Sequence, residues 1–139
     1  MFRVWLGGFE ESMKVVIAGS RDIIYYEAVQ EAVKEAGFEI TEVVSGGARG
    51  VDTLGERWAL DNGIAVRRFP ANWAKYGPRA GYMRNVEMEE YGDALIAVWD
   101  GASPGTEMTI DLFKTAKKPV HVKIVAEDYK QQYLERKTA

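Results

Sequence analysis

The sequence predicts an α/β fold: a single Rossmann-like, doubly wound domain with a five-stranded parallel sheet in the order 3-2-1-4-5. Three observations predict it. Short apolar runs alternate with amphipathic stretches, which calls for a parallel sheet covered by helices. The 139 residues, 47% of them hydrophobic, suffice for one core and not two. Glycines, arginines and aromatics gather in the strand-to-helix turns, whereas the helix-to-strand turns "AGFE", "NGIA", "YGDA" and "KKPV" are plain.

Each element follows from local pattern. Lys14–Ala18 (KVVIA) is a continuous apolar run ended by Gly19, the signature of a buried strand. Tyr25, Ala28, Val29, Ala32, Val33 and Ala36 then recur at helical spacing, and Gly37 supplies a stop. Ile40–Val44 is a second strand. Val51–Asn62 is a second helix with Val51, Leu54 and Trp58 on one face, and Ile64–Phe69 is a third strand. The loop "PANWAKYGPRAG" leads into a helix over Ala80–Tyr91. A strand over Ala94–Trp99, a loop "DGASPG", a helix over Thr106–Ala116 and a strand over Pro119–Val125 complete the pattern. Residues 1–13 read as an N-terminal extension, 14–126 as the domain, and 127–139 as a polar, helical tail.

Bulk composition excludes several functions. The net charge is −3 with both signs interspersed, so nucleic acid is not the expected partner. There is no cysteine, which removes disulfides, thiolate metal sites and cysteine nucleophiles and fits a cytoplasmic protein. No apolar run reaches the roughly 20 residues that span a bilayer, so no membrane partner is expected. The single histidine, His121, alternates within the last strand, far from every turn that carries unusual residues. Neither a serine–histidine triad nor a metal site is expected, and no cofactor is implied.

In a parallel sheet the strand-to-helix turns share the carboxyl edge, where ligands bind at the switch in strand order. Four turns meet there. The first offers Gly19, Ser20 and Arg21, and the second, "SGGARGVD", offers Ser45, Gly46, Gly47, Ala48, Arg49, Gly50 and Asp52. The third offers Asn72, Trp73, Tyr76 and Arg79; the fourth offers Asp100, Gly101, Ser103, Gly105 and Thr106. Glycines let backbone N–H groups approach an anion, and a helix N-terminus adds partial positive charge. Arginines add charge-assisted contacts. Asp52 and Asp100 can accept from ribose hydroxyls, although Asp52 also suits a helix cap. On the fourth helix Gly81, Arg84, Asn85, Met88 and Tyr91 share one face, so Arg84 needs a partner: an internal carboxylate, a bound phosphate or a reacting sugar. The glycines fit neither G-x-G-x-x-G nor a P-loop.

Together "VIAGSRD", "VVSGGARGVD", "ANWAKYGPRAGYMRN" and "DGASPGT" resemble the YspA and cpYpsA-related branch of the SLOG superfamily, across roughly Lys14 to Val125. That superfamily includes the Rossmann-like domain of DprA/Smf and the LOG phosphoribohydrolases. The resemblance implies a nucleotide or nucleotide-derived ligand, such as a phosphorylated nucleoside or an ADP-ribose-like molecule. It also implies a homodimer and a role in stress or phage-conflict signalling. The catalytic arginine of the LOG enzymes maps onto Arg84, and their P-G-G-x-G-T-x-x-E loop is similar to "SPGTEM". Their glutamate falls at Thr109, with Glu107 and Asp111 nearby but offset. Three functions follow: a ligand-binding module; an N-glycosidic hydrolase using Arg84 with Asp100, Glu107 or Asp111 as the acid; and a DprA-like DNA-binding protein.

Overall fold

The computed structural model describes residues 12–126 and 128–138. Five strands, β1 (Lys14–Gly19), β2 (Glu42–Ser45), β3 (Ala65–Arg68), β4 (Ala94–Trp99) and β5 (Val120–Ile124), form one parallel sheet in the order β3-β2-β1-β4-β5. Val15 lies opposite Val43 of β2 and Ala94 of β4, while β3 and β5 pair outward with β2 and β4. The fold is the Rossmann-like one that the alternating pattern predicts.

β1 and β4 read as unbroken apolar runs because they are buried on both sides. Val15, Ile17, Val43, Ile96 and Val98 share one cluster with α1 (Tyr26–Ala36) and α2 (Val51–Asp61). Val16, Ala18, Val44, Leu95 and Ala97 share the other with α4 (Ala80–Tyr91) and α5 (Pro104–Thr115). Full burial of a side chain such as Ile17 or Leu95 is worth about 1.5–3 kcal/mol, so these two strands anchor the sheet.

Element ends shift by one or two residues, as where α5 begins at Pro104 and not Thr106, and two elements differ in kind from the sequence reading. The segment after β3 is not a plain loop: it carries α3 (Trp73–Tyr76), capped by Asn72, and a 3-10 turn over Gly77–Arg79. All four residues of β3 are exposed, although the pattern reads as a covered strand. The chain leaves β3 into this short helix, which packs on α4 instead of crossing back over β3. α6 (Tyr129–Thr138) closes the described chain against the α1 side. The extension expected at the N-terminus falls on residues 1–11, outside the described residues, except at its end. There Met13 is tied to Thr41 through its N–H and its carbonyl. No described helix is long and apolar enough to cross a membrane.

Candidate functional site

The topological switch lies between β1 and β4, where the chain turns one way to β2 and later returns on the other side. Their ends approach so closely that a Cβ on Gly19 would sit 1.9 Å from the Val98 carbonyl oxygen, so glycine there serves packing. Ser20 follows, 3% exposed. Its hydroxyl accepts the Asp100 N–H at 3.0 Å and lies 3.3 Å from the Ser103 hydroxyl, and its carbonyl accepts the Val51 N–H. One small residue, through its hydroxyl and its carbonyl, thus ties three turns together. Arg21 is exposed beside it.

The turn after β2 satisfies itself. The Ser45 hydroxyl donates to Glu56 at 2.6 Å and accepts the Gly47 N–H at 3.0 Å, while Asp52 Oδ2 accepts the Ala48 N–H at 3.2 Å. Two of the amides that the glycine-rich pattern offers to an anion are therefore already bonded. Gly46 and Gly50 are packed, against Arg84 with Asp52 and against the Ser20 and Arg21 carbonyls respectively. Gly47 differs: its φ of 73° favours glycine, and nothing lies within 4 Å of where its Cβ would be. Asp52 is 6% exposed, and burial pushes its carboxyl up to about 6 despite the Ala48 N–H and nearby Arg84.

Arg84 reaches this turn from α4. Its Nη1 donates to the Gly46 carbonyl at 2.7 Å and its Nε to Asn85 Oδ1 at 2.9 Å. Among the described residues no carboxylate forms an ion pair with it directly. Burial lowers its pKa, Asp52 opposes that, and Arg21 adds to it.

The turn after β4 is a carboxylate-centred cap. Asp100 Oδ1 accepts the N–H groups of Ala102 and Ser103 at 2.8 Å each, and Oδ2 accepts the Ser103 hydroxyl at 2.7 Å. These bonds, the Ser103 amide first, hold its carboxyl down at about 2. α5 begins directly afterwards at Pro104, and a Cβ on Gly105 would meet open space. Thr109 is 3% exposed and donates to the Gly105 carbonyl.

These turns enclose a cleft of about 370 Å³. The β1 turn contributes Gly19, Ser20 and Arg21; the β2 turn contributes Ala48, Arg49 and Asp52. α4 contributes Arg84 and Asn85, and the β4 turn contributes Ser103, Gly105 and Thr106. A second, more open cleft of about 700 Å³ adjoins it and includes Gly46 and Gly47. Ser45, Gly50, Asp100 and Gly101 line neither cleft and instead build the turns. Asn72 caps α3 by accepting the Lys75 N–H, and Tyr76 and Arg79 also line neither. Glu107 is exposed away from both, and Asp111 lines a separate groove between α4 and α5. The sequence reading missed Asp22, Met88 and Thr109 in the first cleft and Arg68 in the second. Arg68, the last residue of β3, carried a usable signal: a cation at the carboxyl end of a strand. Thr109 lies where the LOG loop would have its glutamate, so that position faces the cleft but bears a hydroxyl.

Comparison with known proteins bears on this arrangement. The YspA, cpYpsA-related SLOG family (YAcAr) matches residues 13–76, from β1 through the loop that carries α3. Gene 61 protein of Mycobacterium phage D29 is 31% identical over 117 residues, covering 77% of this chain and 93% of that protein. The X-ray structure of DNA processing protein A (DprA) from Streptococcus pneumoniae shares the fold, with a TM-score of 0.65 at 16% identity. The match covers 92% of this chain but only 57% of that one. With the glycine-rich β2 turn inside the family match and a phage relative aligned over most of its own length, the chain belongs to the YspA, cpYpsA-related SLOG family.

Proposed function

We propose that this protein binds a nucleotide-derived ligand, a phosphorylated nucleoside or an ADP-ribose-like molecule, at the carboxyl edge of the sheet, and signals its presence without consuming it. One observation carries the reading: Arg21, Arg49 and Arg84 meet the N-terminus of α5 in one cleft at the topological switch. The Gly105 and Thr106 amides open the helix beside the hydroxyl of Ser103, a setting that favours a phosphate. Ser20 and Asp100 act here as positioning residues, because their polar atoms hold the turns together.

Hydrolysis of an N-glycosidic bond has less support. It needs a carboxylate at the sugar to stabilise positive charge or activate water. Thr109 occupies the corresponding position, Glu107 faces away, and Asp100 is held ionised by its own loop. DNA binding rests on a likeness of fold to DprA, and the net charge of −3 does not favour it.

The test is a thermal-shift series with inorganic phosphate, 5′-AMP and ADP-ribose, combined with chromatography of the same mixtures. The expected result is a higher melting temperature with the nucleotides and no free base or new product. Steady release of base or ribose phosphate would instead make the protein a hydrolase. No shift with any of the three would remove the binding reading.

A further inference from the structure

We infer that the open cleft beside β3 is a second subsite for the same ligand, one that takes an aromatic ring and its attached phosphate. The full ligand is then a nucleotide with two ends joined through a phosphate bridge, longer than a mononucleotide. The inference rests on the binding reading above and goes beyond it in assigning the far end of the ligand.

Four features place an anion-linked ring there. The two clefts are continuous, since Arg21, Ala48, Arg49 and Arg84 line both. The second is lined by four guanidiniums, those of Arg21, Arg49, Arg68 and Arg84, and by no carboxylate, whereas the first also contains Asp22 and Asp52. Three of these cations keep donors open to a ligand. Arg21 has no bonded partner among the described residues, and Arg49 pairs at 3.3 Å with an exposed Asp22, a contact of little strength. Arg68 is oriented from behind by Glu56, which bonds its Nε at 3.1 Å and its Nη2 at 2.5 Å. Such a fork leaves further donors for a phosphate.

The remaining two features concern shape. Trp73 is 57% exposed in the wall of this cleft, although an indole that large is normally mostly buried. It is held in place: α3 is capped by Asn72, and the outer edge of the ring lies 3.8 Å from where a Cβ on Gly81 of α4 would stand. A fixed, exposed indole beside arginines is a stacking platform for a base. Within the open cleft Gly47 exposes bare backbone, so a phosphate can approach that turn without meeting a side chain.

The experiment is calorimetric titration of wild type, Trp73→Ala, Trp73→Phe and Arg68→Gln with 5′-AMP, with diadenosine diphosphate and with a ten-residue oligothymidylate. Trp73 and Arg68 are exposed, and circular dichroism confirms that each variant is folded. The expected result is that diadenosine diphosphate binds wild type about tenfold or more tighter than 5′-AMP. Trp73→Ala and Arg68→Gln should erase that advantage and leave 5′-AMP affinity unchanged, while Trp73→Phe restores most of it. If 5′-AMP binds but the dinucleotide gains nothing, the second subsite is lost and the first stands. If neither binds, both readings fall together. Tight oligothymidylate binding that depends on Trp73 would make the open cleft a single-strand surface and overturn the proposal.

Discussion

Asp52 and Arg84 sit side by side beneath the Gly46 backbone, and each has an ionisation altered by burial. For Asp52 the sign is clear. Its folded pKa, about 6, is raised above the ordinary carboxylate value because burial disfavours the charge, so the fold favours the protonated acid. The stability contributed by this group is full below the unfolded pKa and is lost as pH rises through about 6. Holding the acid protonated to that pH corresponds to about 3 kcal/mol. Asp52→Asn keeps an acceptor for the Ala48 N–H and carries no charge. Its stability relative to wild type should therefore rise by about 2–3 kcal/mol between pH 4 and pH 7.5, measured by urea denaturation; a pH-independent difference would show Asp52 ionised without penalty. Arg84 makes a different case. The alternatives open to the sequence were an internal carboxylate or a ligand, but its strongest bond goes to a loop carbonyl 38 positions away. Breaking a buried ion pair costs about 3–5 kcal/mol, whereas orphaning one carbonyl costs about 1–3. Arg84→Ala should therefore lose no more than about 3 kcal/mol in the absence of ligand, while nucleotide affinity falls at least about tenfold. A larger stability loss with unchanged affinity would make Arg84 structural.

At the scale of elements, α6 is held to α1 by two kinds of contact whose weights differ. Tyr129, 7% exposed, packs against Tyr25 and donates to Glu31, with Tyr133 completing the ring cluster. Arg136 bridges Glu27 and Glu31 from a largely solvated position. Removing a buried ring costs about 2–4 kcal/mol, an exposed ion pair under about 1. Tyr129→Ala should destabilise more than Arg136→Ala in chemical denaturation, and the reverse ranking would mean that charge holds the helix. The elements themselves were legible wherever one physical rule decided them. β1 and β4 are buried on both faces and read as continuous apolar runs; α4 was placed by its spacing and β4 to the residue. β3 was legible as a strand but not as an uncovered one, because its covering depends on the path of the chain beyond Phe69, not on its own side chains. The same limit applied to the site. The turns were found, yet sequence could not divide the packed glycines 19, 46 and 50 from the open ones at 47 and 105, since that division depends on backbone approaching from other turns.

At the scale of the whole molecule, the exposed β3 edge is the feature that the monomer leaves unfinished. Among the described residues no strand pairs with its outer N–H and C=O groups, and beside it Leu60 is 80% and Val66 38% exposed. Natural sheets protect such edges with charge, twist or a neighbour. Arg67 and Arg68 supply charge here, but Arg67 lies against the rings of Phe69 and Tyr91 and Arg68 is paired with Glu56. Both are therefore partly withdrawn from guarding the edge. Of Trp58, Trp73 and Trp99, the first and the last are packed on the core and Trp73 is largely exposed. If this protein is a homodimer, β3 with the adjoining face of α2 is the surface best suited to the interface. Light scattering should then give twice the monomer mass for wild type, and Val66→Asp, which adds an unpaired charge to the exposed patch without touching the core, should give the monomer with its fold intact. A wild type that remains monomeric at every accessible concentration would end the dimer proposal, and a dimer indifferent to Val66→Asp would move the interface away from β3.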